Sequence, residues 1–108
     1  MFYQLDDIES ADVLPGFRAK FVHTDRMTFV FWDVDAGAEL PEHSHEHEQV
    51  CNVLSGEFSL TINGQTRTLR PGEVAVIPSM AVHSGQALSS CRVLDVFQPV
   101  REDYRKSS

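Results

Sequence analysis

The chain has 108 residues, enough for one domain around one core and too few for two. Hydrophobic residues make up 42% of it, so a core can form, while a net charge of -7 sets it against nucleic acid and anionic membranes, whose phosphates it would repel. No apolar run approaches the roughly 20 residues that span a bilayer, and the acidic start MFYQLDDIES has neither the basic region nor the apolar stretch of a secretory signal, so the expected location is cytoplasmic.

The chain carries no linker, internal repeat or low-complexity block. QLDDIESADV is the best helical candidate, but its Leu5, Ile8 and Asp12 mix apolar and acidic positions, so it predicts at most one short turn. FRAKFVHT alternates Phe17, Ala19 and Phe21 against Arg18 and Lys20, which is a strand. MTFVFWDVD, rich in β-branched and aromatic residues, reads as a strand with two buried faces. EFSLTIN and QTRTLR flank Asn63-Gly64, a pair suited to a type I′ hairpin, although Arg67 and Arg70 fall on opposite faces of the second strand. Pro71-Gly72 makes the next turn, VAVIP is a short apolar strand stopped by Pro78, and CRVLDVF is a last long strand stopped by Pro99. The polar tail, residues 104–108, is expected to fray from about Lys106. Short strands spaced by turns predict an all-β sandwich or barrel, with residues 1–108 as a single domain and no substantial helix. Cys51 and Cys91 are expected to be free, buried thiols in a reducing compartment, a disulfide between them being the alternative.

The stretch PEHSHEHEQV sets His43, His45, His47 and Gln49 at every second position. In a strand those side chains share one face, and Glu42, Glu46 and Glu48 share the other. The pattern gathers neutral donors and keeps the acids away from them. Imidazoles on a common face suit a divalent transition metal such as Ni, Zn, Fe or Mn rather than calcium or magnesium, which prefer oxygen. The cysteines lack the spacing of a structural zinc site. Residue types alone leave open a solvated histidine-rich loop.

A second segment changes the balance. GAELPEHSHEHEQVCNVLSG reads G-x5-H-x-H-x3-Q-x6-G over residues 37–56, and GEVAVIPSMAVH reads G-x5-P-x4-H over residues 72–83. Paired at these offsets, the two segments resemble the motifs of the cupin family over residues 30–98. The resemblance implies a double-stranded β-helix, or jelly-roll barrel, with one metal ion in its mouth, and it assigns His43, His45, Gln49 and His83 as the ligands. His47 stays outside that set, either facing the substrate or lying on the surface. Two positions depart from the family pattern. Gln49 stands where many cupins have Glu, and Met80 stands where glycine is usual, so Met80 is expected to narrow or re-aim the loop before His83; Ala87 occupies a position that is often Asn. Three imidazoles and an amide are neutral, so a divalent ion would keep its full charge and attract an anionic ligand.

In CRVLDVFQPVRED, Cys91, Val93, Asp95 and Phe97 share one parity, which sets Asp95 among apolar neighbours. If that face lines the barrel, Asp95 is a candidate general acid/base; otherwise it is an exposed acid near a strand end. Arg101, beyond Pro99, can fold back over the mouth and hold a carboxylate in bidentate fashion. HSHEHEQ followed by D-x-F-x3-R (Asp95, Phe97 and Arg101) is similar to the KdgF-type cupins of pectin and alginate breakdown. That narrower resemblance implies ring opening of 4,5-unsaturated monouronates to the linear 5-keto-4-deoxyuronate, with Asp95 moving the proton, Arg101 holding the carboxylate and Phe97 positioning the ring. The alternatives are another metal-dependent cupin enzyme, an oxygenase or a lyase on a small organic acid, and a non-catalytic sugar- or acid-binding module. A homodimer is expected, with MFYQL and FRAKFVH pairing against a second copy's sheet.

Overall fold

The computed structural model describes residues 1–107, with side chains through Arg105. After a single 3-10 turn at Leu5–Asp7 come ten strands. They are β1 (Ala11–Leu14), β2 (Phe17–His23), β3 (Thr28–Val34), β4 (Glu39–His43), β5 (Glu48–Ser55), β6 (Phe58–Ile62), β7 (Gln65–Leu69), β8 (Val74–Ile77), β9 (His83–Ala87) and β10 (Cys91–Gln98), followed by a helix, α1 (Glu102–Ser107). The strands form a six-stranded sheet in the order β1-β2-β3-β10-β5-β8 and a four-stranded sheet in the order β4-β9-β6-β7. The two antiparallel sheets face each other around one core, the all-β sandwich expected from the strand spacing and the jelly-roll that the family resemblance implied. Among the described residues no helix is long and apolar enough to cross a membrane.

Alternation builds the large sheet. Phe17, Ala19 and Phe21 of β2, Thr28, Val30, Trp32 and Val34 of β3, and Cys91, Val93, Asp95 and Phe97 of β10 are all buried. The register aligns these residues into rows: Phe21 lies opposite Val30, Val30 opposite Asp95, and Asp95 opposite Cys51. One residue pair further along, Thr28 faces Phe97 and Phe97 faces Gln49. Only one face of β3 is fully buried. Phe29, Phe31 and Asp33 lie half-exposed on the outer face, so its aromatic content reflects two apolar faces rather than two buried ones. In the small sheet, β6 and β7 are joined by Asn63 and Gly64, both with positive φ (48° and 82°), as the hairpin requires. Arg67 of β7 is exposed, while Arg70 lies just past the strand and pairs with Glu57 at 2.9 Å.

The expectation of no substantial helix needs correction, because the end of the chain forms helix α1. Glu102 and Asp103 sit in its first turn, where acids favour a helix, and Tyr104 packs against Phe21 and Trp32. A six-residue helix is too short to register as a hydrophobic period, so tertiary packing of Tyr104 decides it. Fraying from Lys106 onward concerns side chains outside the described residues. In FRAKFVH, β1 pairs along the Phe17–Ala19 half of the strand. The free edge of the large sheet nearer the metal motifs is β8, whose Val74 and Val76 are exposed.

Met80 keeps a glycine-like backbone, with φ 68°, and its N–H donates to the His45 carbonyl at 2.8 Å. Its side chain points into solvent and lines no part of the core, so it neither narrows nor re-aims the loop. The left-handed conformation costs a residue with a Cβ roughly 1–2 kcal/mol. Met80→Gly is therefore expected to stabilise the fold by roughly 0.5–1 kcal/mol, after the entropy that glycine adds to the unfolded chain. Urea unfolding checks this, and a lower midpoint in the variant would mean that the exposed side chain contributes packing.

Candidate metal centre

The histidine-rich stretch is not one strand. His43 ends β4, His45 and His47 lie in the connecting loop, and Gln49 is the second residue of β5, in the other sheet. Alternation therefore cannot be what gathers these side chains. A bulge in β4 does part of it. Leu40 pairs with Gly85 and His43 pairs with His83, so three residues on β4 answer two on β9. The extra residue lets both Leu40 and His43 face the core although they differ in parity. Pro41 is accommodated because β4 is an edge strand. The loop then carries His45 across the gap between the sheets. Glu42, Glu46 and Glu48 remain exposed, as the sequence pattern implied.

Each of the three histidines is oriented by the backbone. His43 Nδ1 bonds to the Pro41 carbonyl at 2.8 Å, His45 Nδ1 to the His47 carbonyl at 3.0 Å, and His83 Nδ1 to the Ala81 carbonyl at 2.9 Å. A carbonyl only accepts, so each Nδ1 carries the proton and each Nε2 keeps its lone pair. The ring centroids of His43 and His83 are 4.1 Å apart, and those of His45 and His83 are 4.9 Å apart. One ring nitrogen from each lies within 4.8 Å of the others.

The donor set fits a metal ion. His45 Nε2, His83 Nε2 and Gln49 Oε1 are buried without any hydrogen-bond partner. Leaving one such group unsatisfied costs about 1–3 kcal/mol, so three together call for a shared cation. Burial, followed by the Arg101 charge and the His83 ring, pushes His45 down to about 4, and burial also lowers His83. Neutral imidazoles at physiological pH are what a transition metal needs. His43, His45 and His83 could thus hold an ion, and their chemistry admits several metals.

His43, His45, Gln49, His83, Asp95, Phe97 and Arg101 line one cavity of about 50 Å³, and His47 is not among its lining residues. Asp95 is interior, as its parity indicated, and its Oδ2 accepts the Trp32 indole N–H at 2.9 Å. Its Oδ1 meets no donor at good hydrogen-bonding geometry, although the Gln49 amide and the Cys51 thiol lie alongside it. Burial pushes the Asp95 carboxyl up, while Gln49, Trp32, Cys51 and the Arg101 charge pull it back. Phe97 is only 2% exposed, with its ring 5.7 Å from His45, 5.9 Å from Tyr104 and 4.8 Å beneath the Arg101 guanidinium. Arg101 does fold over the mouth, and its fork is bonded to Asp103 at 3.0 and 2.8 Å. His47 stands beside the triad, 5.5 Å from His45, and its carbonyl is what orients that ring. Cys51 and Cys91 are buried free thiols. Burial, together with Asp95, raises Cys51 well up, and burial takes Cys91 to about 11.

Sequence reasoning missed Trp32, Cys51 and Tyr104 as parts of this wall. A signal for Trp32 was available. A buried indole N–H needs an acceptor, and Asp95 was the one acid assigned to the interior.

A family profile described as "Cupin domain" matches residues 30–97. The chain belongs to the cupin family. This cupin is 29% identical over 106 residues to the pectin degradation protein KdgF of Dickeya dadantii (strain 3937), covering 94% of the chain and 96% of that protein. It is 32% identical over 91 residues to L-ectoine synthase of Nocardia farcinica (strain IFM 10152), covering 79% and 70%. The structure of KdgF from Halomonas sp. superposes with a TM-score of 0.92 at 34% identity, covering 96% of this cupin and 99% of that chain.

Adding Ni, Zn, Fe(II) or Mn to the metal-free cupin is expected to raise its melting temperature, by about 2.7 kcal/mol of stabilisation at a hundredfold excess over Kd. His83→Ala is expected to abolish the shift. A shift that survives in His83→Ala would move the ion elsewhere.

Proposed function

We propose that this cupin is a metal-dependent enzyme that opens 4,5-unsaturated monouronates to the linear 5-keto-4-deoxyuronate, as part of pectin and alginate breakdown. The observation that carries the reading is the convergence of Asp95, Phe97 and Arg101 on the cavity that holds the histidine triad. Likeness to KdgF over nearly the whole length of both chains supports it.

In this reading Gln49 joins His43, His45 and His83 as the fourth ligand, through the Oε1 that is otherwise stranded. Asp95, acceptor-only when ionised, holds the Gln49 amide with its NH2 toward the carboxylate and its oxygen toward the imidazoles. A bound divalent ion (Ni, Zn, Fe or Mn) supplies Lewis-acid polarisation of substrate oxygens. Asp95 carries the proton between oxygen and carbon. Its opposed pKa influences, burial against three donors and Arg101, suit a group that must both take and give a proton. Arg101 receives the uronate carboxylate through its fork. Phe97, held from below and from the sides, steadies the guanidinium and forms the floor on which the ring rests. The proposed setting is the cytoplasm and the ligand a small anion.

The test is incubation of metal-loaded protein with freshly made unsaturated monouronate, followed by NMR against a no-protein control. Faster appearance of the linear keto acid is expected, with turnover lost in Asp95→Asn although metal content is unchanged. Normal turnover in Asp95→Asn would remove Asp95 as the proton carrier. A rate equal to the control would remove the uronate assignment, and oxygen consumption would then test for an oxygenase.

We also propose a homodimer through the outer face of the six-stranded sheet. Val22, Phe29, Val96, Val50 and Val76 form one unbroken apolar row across five strands. Phe31, Leu94 and Val74 extend it in the next row. The charged side chains of that face, Asp12, Arg18, Lys20, Asp33, Glu48 and Arg92, balance to zero on a chain of net charge -7, so the face adds no net repulsion between copies. Val96→Lys is expected to give a monomer by light scattering with metal uptake intact, and an unchanged mass would exclude this face.

A further inference from the structure

The cavity is too small for the ligand that its residues invite. About 50 Å³ is room for one or two waters, whereas ligand sites run to roughly 300–1,000 Å³. A ligand of that size needs more room, and the wall on the α1 side is held by the Tyr104 ring contacts with Phe21, Trp32 and Phe97 and by an ion pair of unequal members. The Arg101 side chain is 11% exposed, and that of Asp103 is 59% exposed. Arg101 is fixed from several directions. Its backbone N–H donates to the buried Thr28 hydroxyl at 2.9 Å, and its guanidinium lies 4.8 Å from the Phe97 ring centre and 4.1 Å from that of Tyr104. Asp103 reaches in from α1 and takes the Nε–Nη2 edge of the guanidinium with both carboxylate oxygens. The geometry is that of a bound carboxylate, except that the carboxylate belongs to the protein itself.

We infer that Asp103 is a specificity-determining residue, an internal carboxylate that a ligand must displace from Arg101 with a carboxylate of its own. Asp103 is the more solvated member of the pair, so it is the one that can give way, releasing the backbone N–H groups of α1 that also hold it, whereas Arg101 cannot. Removing the partner of a buried guanidinium without replacement is strongly unfavourable. A neutral sugar offers no replacement and leaves Asp103 bound. A uronate restores the ion pair in the act of entering, and it releases α1 and the Tyr104 ring from the fork. Charge selection thus comes from exchange of one carboxylate for another, not merely from the presence of a cation.

The inference rests on Arg101 meeting the ligand carboxylate, as in the proposed function. It is tested by binding rather than turnover. Trp32, the only tryptophan, lines the cavity and donates to Asp95, so its fluorescence reports occupancy. Metal-loaded wild type and Asp103→Asn are titrated with D-galacturonate, a stable uronate, and with galactose as its neutral counterpart. Asp103→Asn is expected to bind galacturonate about three- to tenfold more tightly, the scale of one partly solvated ion pair, and Asp103→Glu to return toward wild type. Wild type is expected to respond to galacturonate and not to galactose. In wild type itself, saturation with galacturonate is expected to return the Asp103 carboxyl, now held low by Arg101, toward its ordinary range in carbon NMR. Equal or weaker binding by Asp103→Asn, an Asp103 titration that galacturonate leaves unmoved, or no galacturonate response in either protein would each overturn the inference. Tighter binding by Asp103→Asn without turnover of the unsaturated sugar would keep the inference and remove the uronate activity. Turnover with unchanged affinity would do the reverse.

Discussion

Three hydrogen bonds from imidazole Nδ1 atoms to backbone carbonyls organise this molecule's chemistry. Each spends the proton-bearing nitrogen of a histidine on the chain itself and leaves the other nitrogen facing its neighbours. The carbonyls belong to Pro41, His47 and Ala81, which lie in a bulged edge strand, a loop and the turn before β9. The ligand geometry therefore depends on irregular backbone, and that backbone is held where the two sheets meet. Met80 N–H donates to the His45 carbonyl, tying the loop before His83 to the loop that carries His45.

The large sheet supplies the rest of the cavity with a different kind of precision. Its register sets Asp95 opposite Cys51 and Phe97 opposite Gln49, so the acid, the aromatic floor and the amide occupy fixed neighbouring positions on the inner face. Burying a carboxyl there is costly, and the cost is offset by the Trp32 indole, the flanking amide and thiol, and the Arg101 charge. Regular strands hold the groups that must stay still. The α1 side of the cavity is built differently, from a short helix whose Tyr104 ring packs on Phe21, Trp32 and Phe97 and from the Arg101–Asp103 ion pair.

Much of this was legible in the chain. Alternation in FRAKFVH and CRVLDVF, the Asn-Gly hairpin and the proline stops follow from local rules, because a residue's face in a strand depends only on its parity. The inward position of Asp95 came from the same rule. The paired motifs pointed to cupin ancestry and so to His43, His45 and His83 as neighbours. Alternation along one strand would set these histidines on one face, but the molecule brings His43, His45 and His83 together by another path. The chain leaves one sheet and enters the other between His43 and Gln49, and parity does not survive a bulge and a loop.

What the sequence determined by itself was the set of strands, the sidedness of each and the chemical types gathered near the motifs, since these depend on spacing along the chain. Only the tertiary structure decided that α1 exists and that the indole of Trp32 meets Asp95 63 residues away. It alone decided that Arg101 is already occupied by Asp103. Each of these is a contact between segments whose separation carries no period, so the energy that selects it appears only when the sheets close on each other.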